Sequence, residues 1–315
     1  MGAAFGTVNI QQYDHVNKAF EDVIKYSRSA TYKAALAGLS IGGAHAILLA
    51  NEDETVTPEQ LRKFGTYINI LKGKFIATPS SSINTEEFNF IKETTNHTIS
   101  FQRKTLNIST FTAYGTLEGI KASAFYLWGS EELRNRKIVV QGVGKVGTQI
   151  VEFLVKDGAD ITIADTDYNK VEALLNRFPH LNAIAPKDVF THEADILIPA
   201  ATSGIINEFT IPLLNYKLIA GPANNQLKNE EEDGKLLEEH GILFTPDFLI
   251  NAGSLITNYF EYNQLDKDHL QAKIEKIYIT TLETFFYAKQ HNIAPIIAAK
   301  QLVKTYLNQV QIRKN

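Results

Sequence analysis

The sequence predicts an α/β protein of two domains, a doubly wound parallel sheet and a smaller α/β domain, followed by C-terminal helices. Short apolar strand patterns alternate with amphipathic helix patterns, the order that builds a parallel sheet covered on both faces. A glycine-rich turn, Gly142-Val143-Gly144-Lys145-Val146-Gly147, stands between a strand pattern and a helix pattern. A length of 315 residues, 44% hydrophobic and 21% charged, suits two cores better than one.

Residues 14–38 place Val16, Ala19, Phe20, Val23 and Ile24 at helical spacing, which predicts a long helix with these residues on one face. Residues 45–50 form a short apolar strand. Thr57 is placed to cap a helix beginning at Pro58, where proline lacks only an N–H that the first turn leaves unbonded. A strand at 74–78 ends at Pro79, 85–95 reads as a helix, and a connecting helix spans 112–128. A βαβ series follows, with strands at 137–141, 160–164, 194–199, 218–221 and 242–245 and helices at 146–156, 168–178 and 230–240. From Ser254 onward the pattern is helical, with three- and four-residue apolar spacing over 268–291 and 295–312. The domains drawn from this are 1–118, 119–252, and C-terminal helices 253–315 that pack back towards the first.

The turn after Gln141 carries chemistry. Gly142 permits the tight bend, Gly144 lets a pyrophosphate approach the backbone, and Gly147 lets the helix pack close to the strand. The helix that opens there offers free N–H groups and a positive dipole end to phosphate. The next strand ends at Asp165, 23 residues beyond Gly142, where a carboxylate meets the adenine ribose hydroxyls and disfavours a 2′-phosphate. Strand, turn, helix, strand and acid in register predict a Rossmann half that holds NAD. The plainer alternatives are glycines for packing alone and Asp165 as a turn residue.

Composition narrows the rest. The net charge is −4 with mixed signs and no basic run, so nucleic acid is not an expected partner. No apolar run reaches the ~20 residues that span a bilayer. The start lacks a signal-peptide pattern, so a cytoplasmic location without a membrane partner is expected. With no cysteine, disulfides, thiolate ligands and cysteine nucleophiles are excluded. Eight scattered histidines give no metal-binding cluster, and no metal is expected. Asn96-His97-Thr98 and Asn107-Ile108-Ser109 match glycosylation sequons, read here as chance.

Four further segments carry a family resemblance over nearly the whole chain. They are Thr31-Tyr32-Lys33 through Gly42-Gly43, Thr112-Ala113-Tyr114-Gly115, Gly221-Pro222-Ala223-Asn224-Asn225-Gln226-Leu227, and Pro246-Asp247-Phe248-Leu249-Ile250-Asn251-Ala252-Gly253. In this order they resemble the leucine/phenylalanine branch of the Glu/Leu/Phe/Val amino-acid dehydrogenases. The resemblance implies a cleft between two domains, NAD along the sheet edge, and reversible oxidation of an L-amino acid to a 2-oxo acid and ammonia. It implies substrate contacts from Lys33, Gly42, Gly43, Asn251 and Leu255, with Lys33 on the carboxylate. It implies cofactor contacts from Thr112, Gly142, Gly144, Lys145, Val146, Gly147, Asp165, Ala201 and Asn225. Lys33 also has a plain reading, a solvated charge late on a helix. An apolar surround of Ala252, Gly253, Leu255 and Ile256 favours aliphatic or aromatic substrates, and a homo-oligomer is expected.

The pattern breaks at the catalytic positions. The family's Gly-Gly-Gly-Lys is here Gly42-Gly43-Ala44-His45, and its Thr-Ala-Glu-Asp is Thr78-Pro79-Ser80-Ser81. His45 and Ser81 therefore stand where the catalytic lysine and aspartate would be. Joint loss keeps the local charge balance, whereas losing one member of a buried pair costs about 3–5 kcal/mol. His45 is expected to transfer a proton near its ordinary pKa of ~6.5, or else to be a satisfied strand residue; Ser81 hydrogen-bonds or is a loop residue. Residues 1–7 resemble a segment that in relatives follows an opening pair of strands, so the first sheet is expected to have an uncovered edge. Two functions follow: an oxidoreductase on an apolar amino acid, 2-oxo acid or imine, or a catalytically silent NAD-binding partner or regulatory subunit.

Overall fold

The computed structural model describes residues 2–50, 56–80, 82–99 and 107–312. They form two compact units. The first gathers the described residues of Met1–Leu106, Leu255–Leu270 and Tyr306–Asn315, and the second Asn107–Ser254 and Gln271–Thr305. The boundary drawn at 118 falls inside a continuous helix, and the C-terminal helices are shared between the units instead of joining the first together.

The first unit runs β1 (Ala4–Gln11), α1 (Val16–Leu36), β2 (Gly42–Leu49), α2 (Pro58–Ile70), β3 (Phe75–Pro79) and α3 (Thr85–Lys92). Its described strands pair in parallel in the order β2-β1-β3. The central strand was absent from the sequence reading, which treated these residues only as a segment lacking its predecessors. One face of the sheet packs Val8, Ala44, Ala46 and Ala77 against Leu61, Ile68, Phe88 and Ile91 from α2 and α3. The other face carries the alternate residues Thr7 and Asn9 of β1 and His45 of β2. Both helices over the apolar face begin with a capping box, Thr57 with Gln60 and Asn84 with Glu87, which pairs first-turn N–H groups that the helix itself cannot.

α1 is a helix as expected. Ala19, Ser29, Ala34 and Ala35 are buried, whereas Val16, Phe20 and Ile24 stand exposed. α1 and β2 approach each other closely. A Cβ on Gly43 would lie 2.1 Å from Thr31 N and 2.3 Å from Ala30 C. At Gly43 only small residues fit between α1 and β2.

The second unit opens with α4 (Ile108–Trp128), capped by the Asn107 side chain and ended by Gly129 at φ 71°. Asn107 thus has a structural use for the side chain that the sequon match singled out. Then come β4 (Lys137–Gln141), α5 (Lys145–Asp157), β5 (Asp160–Ala164), α6 (Tyr168–Arg177), β6 (Asn182–Ala183), β7 (Ile196–Pro199), β8 (Leu218–Ile219), α7 (Glu230–Glu239), β9 (Leu243–Phe244) and α8 (Asp247–Ile250). The chain closes with α9 (Gly253–Tyr262), α10 (Lys267–His291) and α11 (Pro295–Ile312). The sheet is parallel throughout, ordered β6-β5-β4-β7-β8-β9, so the winding reverses between β4 and β7. Its central strands are near-continuous apolar runs because both faces are covered. No helix among the described residues is long and apolar enough to cross a membrane.

Candidate functional site

In the second unit the glycine turn sits where the strand order reverses, the place where open α/β sheets leave a crevice for ligands. Gly142 adopts φ +97°, and a Cβ there would lie 2.6 Å from the Ala201 Cβ. A Cβ on Gly147 would lie 2.0 Å from Gly142 O, so that glycine sets helix α5 against the turn. Gly144 differs: its added Cβ would meet nothing within 4 Å. Gly144 is also the N-cap of α5, with no side-chain cap. The N–H groups of Lys145, Val146 and Gly147 are left to an incoming acceptor at the positive end of the helix dipole. This is the donor set that a pyrophosphate needs.

Asp165 Oδ2 accepts from Val143 N–H at 2.8 Å, and Oδ1 accepts from Asp167 N–H at 2.9 Å. The carboxylate therefore ties the end of β5 to the turn. Each oxygen keeps a further lone pair for a hydroxyl. Across the crevice, Asn225 N–H donates to Asp247 Oδ2 at 2.6 Å, with Asn225 at φ 51°. Asn251 Nδ2 donates to Pro222 O and to Asn224 Oδ1, both at 3.0 Å, while its buried Oδ1 has no partner among the described residues. Thr112 is buried on α4, its hydroxyl donating to Ile108 O at 2.9 Å, and Gly253 packs against its Cα. The turn, Asp165, Ala201, Asn225, Asn251 and Thr112 all lie in this unit. Asp247 was quoted in a motif but given no role; its function as the anchor of Asn225 depends on a contact 22 residues away.

Lys33, Gly42, Gly43, His45 and Leu255 belong to the first unit. Register sets Thr7 beside His45, and Thr7 Oγ1 lies 2.8 Å from His45 Nδ1. Tyr26 of α1 stacks on the imidazole at 4.7 Å between centroids. His45 Nε2 is buried without a partner among the described residues. Burial, then the Lys33 ammonium, push the imidazole down to about 4, with Asp22 opposing weakly. His45 is therefore neutral at pH 7, not the near-neutral titrating donor the sequence suggested. Asp22 accepts a hydrogen bond from Tyr13 Oη at 2.9 Å. Gly43 N–H donates to Thr31 Oγ1 at 3.2 Å, and the missing Cβ of Gly43 serves the packing of α1. Leu255 is buried. Ser81 lies outside the described residues. Thr7, Tyr26 and Asp22 had no sequence signal, because their meeting with His45 depends on strand register and helix placement.

Two family models match the chain: Glutamate/Leucine/Phenylalanine/Valine dehydrogenase over residues 163–306, and Glu/Leu/Phe/Val dehydrogenase, dimerisation domain, over residues 1–97. An L-tryptophan dehydrogenase of Nostoc punctiforme is 34% identical over 304 residues, covering 96% of this chain and 86% of that protein. A leucine dehydrogenase of Geobacillus stearothermophilus is 33% identical, covering 96% of this chain and 83% of that one. The crystal structure of L-tryptophan dehydrogenase from Nostoc punctiforme superposes with a TM-score of 0.84 at 32% identity, covering 98% of this chain and 89% of that chain.

Proposed function

The chain belongs to the Glu/Leu/Phe/Val dehydrogenase family, in its leucine/phenylalanine branch, and from that premise we propose an NAD-dependent oxidoreductase acting on an apolar amino acid, 2-oxo acid or imine. The observation that carries the reading is the uncapped start of α5 at an unobstructed Gly144, at the strand reversal and beside Asp165. Members of the family use NAD or NADP. Preference for NAD rests on Asp165, whose charge would oppose a 2′-phosphate. The relatives' names, tryptophan and leucine dehydrogenase, together with the apolar residues around Leu255, support an apolar substrate. A cytoplasmic homo-oligomer is part of this reading.

The nicotinamide supplies the hydride chemistry when bound. The N–H groups at the start of α5 hold the phosphates, and Asp165 accepts from the ribose. Asn251 offers its unpartnered Oδ1 to a substrate N–H. Lys33 pairs with the substrate carboxylate. His45 acts as a neutral group: in the tautomer in which Thr7 donates to Nδ1, the ring proton rests on Nε2 and is available to a carbonyl or imine. Such a group stabilises developing negative charge without shuttling a proton. Oxidative deamination, which needs water activation and repeated proton transfer, is therefore expected to be slow.

The neutral, anchored state of His45 also favours a second reading, a catalytically silent NAD-binding partner of an active relative. Trp128 stacks under Arg136 at 3.9 Å, beside the start of β4, roughly 15 Å of strand from the turn. NADH fluorescence is thus a better reporter than tryptophan fluorescence. The test is an NADH titration followed by turnover assays across apolar amino acids, 2-oxo acids and imines, for the wild type and for His45→Lys combined with Ser81→Asp. NADH binding with turnover supports the oxidoreductase. Binding without turnover, with deamination gained in the double variant, supports the silent reading. Absence of NADH binding defeats both.

A further inference from the structure

The second unit holds a cavity of about 350 Å³ apart from the cofactor crevice. It is lined by Tyr126 of α4, Glu238 of α7, Ile242 and Phe244 at the edge strand β9, and Phe285, Ala288 and Lys289 of α10. Its size falls within the roughly 300–1,000 Å³ of small-molecule sites. None of the residues assigned above to the phosphates, the ribose or the substrate borders it. The glycine turn leaves β4 at the carboxyl end of the parallel sheet, whereas Glu238 and Gly241, which also lines the cavity, precede β9 at the amino end. Along α4, Thr112 and Tyr126 stand roughly 20 Å apart.

The walls suit a flat apolar ring. Ile242, Phe244, Phe285 and Ala288 are buried, and the Tyr126 ring packs on Phe285 at 4.9 Å between centroids. Ser123 Oγ and Thr245 Oγ1, 2.8 Å apart, tie α4 to the end of β9 one turn before Tyr126. β9 is the last strand of its sheet. Leu243 and Thr245 donate to Lys217 O and Ile219 O on the β8 side, both at 2.9 Å. Alternation along the strand then turns the N–H and C=O of Phe244 to the open edge. Neither has a hydrogen-bond partner among the described residues, and Phe244 is only 2% exposed. A buried donor and acceptor left unpaired cost stability, and a ligand that bonds both recovers it. Glu238 and Lys289, both exposed, bring one charge of each sign, so the border selects neither an anion nor a cation.

We propose that this cavity is a second ligand site, for a neutral, flat aromatic lactam or primary amide whose carbonyl accepts from Phe244 N–H and whose N–H donates to Phe244 O. Such a group carries an acceptor and a donor side by side, the pair that an open strand edge bonds when another strand joins it. Its ring fills the space between Tyr126, Ile242 and Phe285. The inference does not depend on the oxidoreductase reading, since it uses neither the glycine turn nor His45. Occupancy of the cavity does not compete with a cofactor.

The full chain is titrated calorimetrically with quinolin-2-one and benzamide, and with N-methylquinolin-2-one, which lacks the donor, each with and without saturating NADH. One quinolin-2-one binds per chain, and NADH does not displace it. Methylation weakens binding at least about tenfold, because the buried Phe244 carbonyl is then left unpaired. Ala288→Leu and Leu127→Trp narrow the cavity from two different helices, and each weakens quinolin-2-one binding at least about tenfold with NADH affinity unchanged. Should one variant fail to fold, the other decides; should both fail, the methylated compound decides. No saturable binding of quinolin-2-one or benzamide, equal affinity for the methylated compound, displacement by NADH, or unchanged binding in the folded variants overturns the proposal. Absence of NADH binding, with quinolin-2-one binding as expected, would count against the oxidoreductase and leave this site standing.

Discussion

At the scale of the residue, His45 shows how surroundings decide what a side chain can do. Its imidazole is walled by Tyr26, bonded to Thr7 and set near the Lys33 ammonium, and its protonation falls to about 4. A neutral imidazole at pH 7 donates a hydrogen bond but does not deliver a proton from a charged state. The same shift has a signature in stability. The unfolded chain binds a proton at ~6.5 and the folded one only near 4, so the folded state loses stability as pH falls from ~6.5 to about 4 and is unaffected above that window. The loss amounts to at most about 3 kcal/mol, reduced by whatever solvent reaches the ring. Thermal melts at pH 7.5 and pH 4.5, for the wild type and His45→Gln, test this. The variant should show a smaller pH-dependent drop, and equal drops would mean the ring is not held neutral. Asp165 makes a related point. Its two oxygens already take backbone N–H groups, so Asp165→Asn should loosen the turn as well as the ribose contact. NADH binding should fall about tenfold or more, with a stability loss of about 1–3 kcal/mol from chemical denaturation.

At the scale of the element, the three glycines of the turn divide their labour. Gly144→Ala introduces no contact, so folding stability should stay within about 1 kcal/mol of wild type. Its Cβ would enter the space a pyrophosphate needs, and NADH affinity should fall by an order of magnitude or more. Gly147→Ala forces a carbon to within 2.0 Å of Gly142 O, so α5 must move off the turn. That variant should lose about 1–3 kcal/mol of stability, and binding with it. Denaturation curves beside NADH titrations separate the two; equal stability losses would refute the division. These elements were legible in the sequence because their determinants are local. The strands Lys137–Gln141 and Asp160–Ala164 and the helix from Pro58 follow from apolar runs, glycines and caps within a few residues. β1 was not legible. Thr7-Val8-Asn9-Ile10-Gln11 does alternate polar and apolar residues, but the run is short and its partners β2 and β3 lie tens of residues away.

At the scale of the whole molecule, the same distinction separates the two units. In the second, the candidate site is mostly one turn and the acid 23 residues after it, so a linear reading finds it. In the first, His45 acquires its character from β1 and α1 together, and neither partnership has a spacing that a sequence displays. The apolar face of α1 is a pattern that identifies a helix without saying what the face packs against. Val16, Phe20 and Ile24, at four-residue intervals, are 53%, 62% and 66% exposed in the single chain. α1 meets the sheet through Tyr26 on His45 and through small residues near Gly43, and this stripe lies on the exposed side of the helix. Residues 1–97 match the family's dimerisation-domain model, and whether a second copy covers this stripe is open to a direct test. A closed pair uses the same stripe from both protomers, and a stable interface of that kind buries roughly 1,200–2,000 Å² in total. Phe20→Asp with Ile24→Asp puts charges into that contact without touching a buried residue of α1. Sedimentation should show the wild type as a dimer or larger assembly and the double variant as monomer, with NADH affinity retained. A wild type that sediments as a monomer, or a double variant that stays assembled, would show that this stripe does not join the copies.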